Sequence, residues 1–129
     1  MGLDKVIVVA QNPGPGQPYL RKDGDMNAGS TIGKMYKWMQ YIGIETFSFA
    51  NTYPYPGQFT KKDINYNRLN KLTNGYDKVI ALGNVASEAL SKIGVEHFKL
   101  PHPSGLNRKL NDKKYVNKVL KECYEYCNR

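Results

Sequence analysis

The stretch Val6–Ala10 is apolar at every position and β-branched nearly throughout. A strand with one wet face alternates polar and apolar residues, so an unbroken run of this kind marks a strand buried on both faces. The run is far short of the ~20 apolar residues that span a bilayer. It therefore demands a layer of structure above and below it within one domain. The reading places a strand over Lys5–Ala10, with Lys78–Leu82 (KVIAL) and Glu45–Ala50 (ETFSFA) of the same kind and His97–Leu100 as a short fourth.

Helical patterns separate these runs. Ile32, Met35, Met39 and Ile42 recur at helical spacing, and Gly43 stops them. Thr60-Lys-Lys-Asp63 has the form of a capping box with Asp in place of Glu, opening a helix that carries Ile64, Leu69 and Leu72. Val85, Ala86, Ala89, Leu90 and Ile93 define a third helix, stopped at Gly94. The last runs from Asp112 to Tyr126, with Val116, Val119, Leu120, Cys123 and Cys127 on one face. Strands alternating with single helices predict an α/β class: a three-layer α/β/α architecture with a central, mostly parallel four-stranded sheet. Its 129 residues form one domain, 1–129, with no internal repeat or linker.

Nineteen Lys and Arg against eleven Asp and Glu give a net charge of +8. That balance favours polyanionic partners, DNA or a nucleotide among them, or else serves solubility alone. Several cations gather near the last loop and helix: Arg108, Lys109, Lys113, Lys114, Lys118 and Lys121. Cys123 and Cys127 are the only cysteines, too few for a four-ligand zinc site or an iron–sulfur cluster by themselves. They read as core-facing free thiols, and neither metal nor cofactor is expected. Asp4 and Lys5 interrupt any apolar leader segment, so the expectation is a cytoplasmic monomer with no membrane partner.

In a parallel sheet, ligands bind beyond the carboxyl ends of the strands. Four segments fall there: Gln11–Tyr19, Asn51–Gly57, Gly83–Asn84 and Pro101–Arg108. The first is dense in Pro and Gly but lacks the Lys-Ser/Thr of a phosphate loop, so it is a close-approach loop or an ordinary turn. Asn51 carries a carboxamide that suits the edge of a nucleobase, or an Asx turn. The aromatics after it stack on bases or cover a helix end. His102 stands between Pro101 and Pro103, with little freedom to be anything but aimed. Leu106, apolar beside Arg108 and Lys109, has the pattern of a wedge that fills a gap in a base stack, or of a loop residue tucked onto the core.

Taken in order, AQNPG, FANTYPYPG, ALGNVASEAL and LPHPSGLNR resemble the uracil-DNA glycosylase superfamily over nearly the whole chain. That family carries G-x-[DNA]-P-[YG] after its first strand and an H-P-S loop near its C-terminus. DKVIALGNVASEAL is similar to the third strand and helix of its thermostable branch. The resemblance implies catalytic roles for Asn12, which would orient the attacking water, and His102, which would donate a hydrogen bond to the departing base. It implies base contacts from Gln11, Tyr19 and Asn51, with Tyr19 stacking and Asn51 reading the Watson–Crick edge. Ser104, Leu106, Asn107, Arg108 and Lys109 would meet DNA, Ser104 at a phosphate and Leu106 in the vacated stack.

The chain also departs from that pattern. Asn12 is not a carboxylate and can only position water, which implies slower hydrolysis and more reliance on His102. Ala10 stands where the motif opens with Gly, and the cluster cysteines of the thermostable branch are missing. Pro15-Gly16 follows the motif where one branch has a Tyr that excludes thymine, so a 5-substituted pyrimidine fits the expectation as well as uracil. Two functions remain in view: a cofactor-free DNA glycosylase that flips its base, and a module of the same fold that binds nucleotide, nucleobase or DNA without cleaving. A third is another reaction on a modified base, such as transfer to the sugar.

Overall fold

Strand β1 (Val6–Ala10) is buried along its whole length, as an uninterrupted apolar run requires. In the computed structural model, residues 5–11, 31–55, 57–102 and 112–128 are described. After β1 come α1 (Thr31–Tyr41), β2 (Ser48–Asn51), a 3-10 turn (Lys61–Asp63), α2 (Tyr66–Thr73), β3 (Lys78–Leu82), α3 (Gly83–Lys92), β4 (Phe98–Leu100) and α4 (Lys113–Cys127). The four strands form one parallel sheet in the order β2-β1-β3-β4. The expected α/β/α architecture is present.

The layers follow from handedness. From β1 to β2 the chain steps one way across the sheet, and from β2 to β3 and β3 to β4 it steps the other way. Right-handed crossovers then put α1 on one face and α2 and α3 on the opposite one. The packing agrees. Val6, Val8 and Ala10 of β1 and Ile80 and Leu82 of β3 join Met35, Met39 and Ile42 from the first crossover and Leu120 and Cys123 of α4. The alternate residues Ile7, Val9, Val79 and Ala81 face Leu69 of α2 and Ala86, Ala89 and Leu90 of α3. The side chain of Ile32 lies outside the described residues.

The expected helix stops hold. Beyond α1, Ile44 N–H donates to the Met39 carbonyl at 2.9 Å and Gly43 N–H to that of Gln40 at 3.1 Å. Beyond α3, Val95 and Gly94 repeat the pattern on Leu90 and Ser91. Asp112 caps α4 by accepting from Lys114 and Tyr115 N–H.

Two boundaries differ from the sequence reading. The Asp63 carboxylate does accept from Thr60 N–H at 2.8 Å, but this box closes a single 3-10 turn. Ile64 then returns to extended backbone, and Asn65 caps α2 by accepting from Arg68 N–H at 3.0 Å. The second capping residue wins because Asn competes strongly for the N-cap position. Strand β2 starts three residues later than Glu45 and runs on to Asn51, which pairs in register with Ala10.

Cys123 is fully buried and Cys127 half-buried, and neither is in a disulfide. The hydrogen bond with Cys127 and burial push the Cys123 thiol upward from its ordinary value. Among the described residues, no helix is long and apolar enough to cross a membrane.

Ile80 is fully buried at the centre of the sheet. Ile80→Ala should cost about 2–5 kcal/mol of unfolding free energy. Denaturant unfolding should show this as a lower midpoint with an unchanged slope.

Candidate active site

The direction of winding reverses between β1 and β3, and such a reversal opens a crevice at the carboxyl edge of a parallel sheet. Gln11, Asn51, Gly83 and His102 are the residues the strands deliver to that edge. Asn51 ends its strand and the other three follow theirs within two residues, so the position of each is inherited from the sheet.

Gln11 and Asn51 are tied together through Thr52. Thr52 is fully buried, and its N–H donates to the Ala10 carbonyl at 2.9 Å. Its hydroxyl donates to the Gln11 carbonyl at 2.6 Å, and Tyr53 N–H donates to the same oxygen at 3.1 Å. Both lone pairs of that carbonyl are thereby engaged. The β1–β2 pairing continues one step past the strands, and the Gln11 carbonyl is held from the β2 side. A buried hydroxyl without a partner would cost about 1–3 kcal/mol, which is why Thr52 belongs to this contact.

The Asn51 backbone is held from the other side as well. Arg68, in the first turn of α2, donates from Nη1 to the Asn51 carbonyl at 3.2 Å. The strand end that carries Asn51 is thus fixed by register and by a guanidinium. Beyond it, Tyr53 stacks on Phe59 with ring centroids 4.7 Å apart and 12° between planes. Tyr55 meets Tyr53 edge-on at 5.7 Å and 77°.

On the other side of β1, the chain passes from β3 into α3 with no intervening loop. Gly83 makes this turn with φ +87°, a conformation that side-chain-bearing residues adopt only with strain. It also permits a close approach: a Cβ at Gly83 would lie 3.0 Å from Cβ of His102 and 3.4 Å from its Cδ2. The imidazole therefore rests against the N-terminus of α3. Burial holds the His102 pKa below its ordinary value of 6.5. The positive end of the α3 dipole acts in the same direction. A neutral imidazole offers one donor and one acceptor.

Of the residues singled out in the sequence, Gln11, Asn51 and His102 stand at this one edge. Asn12, Tyr19, Ser104, Leu106, Asn107, Arg108 and Lys109 lie outside the described residues. Thr52 and Arg68 were not anticipated. For Thr52 the available signal is a small β-branched polar residue directly after a strand; for Arg68 there is none. Among the described residues, no group of three or more His, Cys, Asp or Glu is placed to hold a metal ion.

Comparison with known proteins gives one family. The Uracil DNA glycosylase superfamily matches residues 3–123. No curated protein matches. Among solved structures, the chain is similar to the N. crassa QDE-2 AGO MID domain at 15% identity and a TM-score of 0.46, over 95% of this chain and 98% of that one.

The packing of Gly83 on His102 is testable against another glycine. Gly94 also has positive φ, +73°, but nothing lies within 4 Å of a Cβ placed there. Gly94→Ala should cost only the backbone strain, about 1–2 kcal/mol. Gly83→Ala should cost more, because its methyl also displaces His102; equal unfolding free energies for the two variants would refute the contact. The depressed pKa of His102 predicts a pH dependence. Between its folded value and 6.5 the unfolded chain binds more protons, so stability rises with pH across that interval. The contribution is complete above 6.5 and is lost as pH falls through the folded value. Thermal unfolding followed downward from about pH 7.5 should show wild type losing ground to His102→Gln, whose side chain does not titrate.

Proposed function

The chain belongs to the uracil DNA glycosylase superfamily, and on that premise we propose that it is a monofunctional DNA glycosylase. It flips uracil or a 5-modified pyrimidine out of DNA and hydrolyses the N-glycosidic bond. The observation that carries this reading is His102, a neutral imidazole seated against Gly83 at the same sheet edge as Asn51.

The chemistry needs few groups. As the C1′–N bond breaks, its electron pair leaves with the base, and the sugar becomes oxocarbenium-like. A donor placed where the base oxygen gains charge stabilises this step without first protonating the base. His102 fills that role. A water then bonds to C1′ and gives up a proton to solvent. Asn12 orients that water but cannot take the proton, so the reaction leans on stabilising the departing base. Asn51 reads the base edge from a strand end held by Arg68, and Tyr19 stacks on the flipped ring. Ser104, Asn107, Arg108 and Lys109 contact the DNA, and Leu106 fills the vacated stack. Flipping costs a few kcal/mol, which these contacts offset. Pro15-Gly16 stands in the sequence where one branch of the family has a blocking aromatic, which is why a 5-modified pyrimidine is included with uracil.

A second reading is a module that binds a nucleotide, nucleobase or DNA on the same fold without cleaving. Asn12 favours it, because no carboxylate stands at that position to activate water.

One assay separates the two. Oligonucleotides carrying a single uracil, 5-hydroxymethyluracil or modified cytosine are incubated with the protein and treated with alkali. A glycosylase leaves alkali-labile abasic sites, and His102→Ala and Asn12→Ala each reduce the rate by about 100-fold or more while DNA binding survives. A binding module cuts none of them, shows thermal stabilisation by a free nucleotide, and loses affinity on His102→Ala.

A further inference from the structure

We infer that Tyr53, Tyr55 and Phe59 form a stacking platform for an unpaired base of single-stranded DNA flanking the target nucleotide. This inference rests on the reading of the site as a DNA-acting one. A lone exposed aromatic calls for no explanation, but Tyr55 is not alone. It is 65% exposed and sits edge-on to Tyr53, which in turn stacks on Phe59. Tyr53 and Phe59 are half-buried. The inner rings are thus ordered by packing, while the outer ring remains open to solvent.

The platform is rigidly joined to the active site. Tyr53 N–H donates to the Gln11 carbonyl, the oxygen that also takes the Thr52 hydroxyl and directly precedes Asn12. Asn51 lies two residues before Tyr53. A strand whose target base reaches Asn51 would therefore pass its neighbouring base over Tyr55.

Charge complements this path. Arg68 reaches the carbonyl of Asn51, and Lys62 is exposed shortly after Phe59. Lys61 is exposed too, in a surface pair with Glu88 at 3.0 Å that phosphate can outcompete, since such pairs contribute little. The chain as a whole carries +8. Aromatic rings over a basic track are the general means of holding single strands, because every base has a face to stack and none of these contacts reads sequence. In a duplex both faces of each base are already covered by its neighbours. The platform therefore favours single-stranded DNA over duplex.

The test is a binding titration with labelled oligonucleotides that contain no target base, single-stranded and as the duplex of the same sequence, at one salt concentration. Tyr55→Ala should weaken single-strand binding by about tenfold, and Tyr55→Phe should keep it within about twofold. Duplex affinity should hardly change in either. Thermal unfolding of each variant verifies that the protein titrated is folded, so that a loss of affinity is read on folded protein. Single-strand affinity unchanged in Tyr55→Ala, or single-strand and duplex affinity falling by the same factor, would overturn the inference. Since no base is cleaved in this experiment, its outcome is independent of the cleavage assay. A protein that cuts nothing yet binds single strands through Tyr55 would sink the glycosylase reading and leave the platform standing.

Discussion

The burial of β1 on both faces governs the rest of the molecule. A strand of five apolar residues cannot sit at an edge, where one row of backbone groups and one flank would be wet. It must be central, with strands on either side and helices above and below. Each fully buried aliphatic side chain is worth about 1.5–3 kcal/mol, so this placement is strongly preferred over any alternative pairing. With β1 central and β2 on one flank, the return to β3 on the other reverses the winding. The crevice at the carboxyl edge is a consequence of that reversal, and so is the arrival of Gln11 and Asn51 at adjacent strand ends.

What turns the crevice into a site is the satisfaction of backbone polar groups just beyond the strands. The Gln11 carbonyl takes two donors from the β2 side, and the Asn51 carbonyl takes one from Arg68. These bonds hold in place the backbone of the two residues that the proposed function assigns to the base. Gly83 does the corresponding work on the other side by absence: without a Cβ, it lets His102 settle on the start of α3. A small domain with short strands thus holds Gln11, Asn51, Gly83 and His102 within one or two positions of the sheet.

The legible part of this structure was the part written in local pattern. Val6–Ala10 and Lys78–Leu82 announce buried parallel strands, and Gly43 and Gly94 stop helices where a left-handed residue is needed. Order and handedness then follow from general rules. The capping box at Thr60 was legible as a motif but not in its reach, because Asn65 offers a second cap a few residues on. The partners of Thr52 and Arg68 were not legible, even though Thr52 itself carries the signal of a small polar residue directly after a strand. The contacts of Thr52 with Gln11 and of Arg68 with Asn51 join residues 41 and 17 positions apart, and which strands become neighbours must be known before either can be inferred. His102 was found through its two prolines, whereas its packing partner Gly83 required the register of β3 and β4.

The replacement of a carboxylate by Asn12 shifts the balance of the proposed reaction rather than preventing it. In breaking an N-glycosidic bond, most of the new charge appears on the base and the sugar before water has bonded. A group that removes a proton from water acts late, while a group that meets the departing base acts where the charge develops. His102 is suited to that position because it is neutral. An imidazolium at the same buried place would need its own counter-charge, and the N-terminus of α3 opposes it. In the proposed reaction, a neutral N–H with the helix dipole behind it stabilises an anion that forms only during reaction and adds no charge of its own to the resting site. In the proposed reaction that asymmetry between resting and reacting states is what lowers the barrier. With Asn12 in place of a carboxylate, the proposed reaction keeps that asymmetry so long as His102 remains held against Gly83.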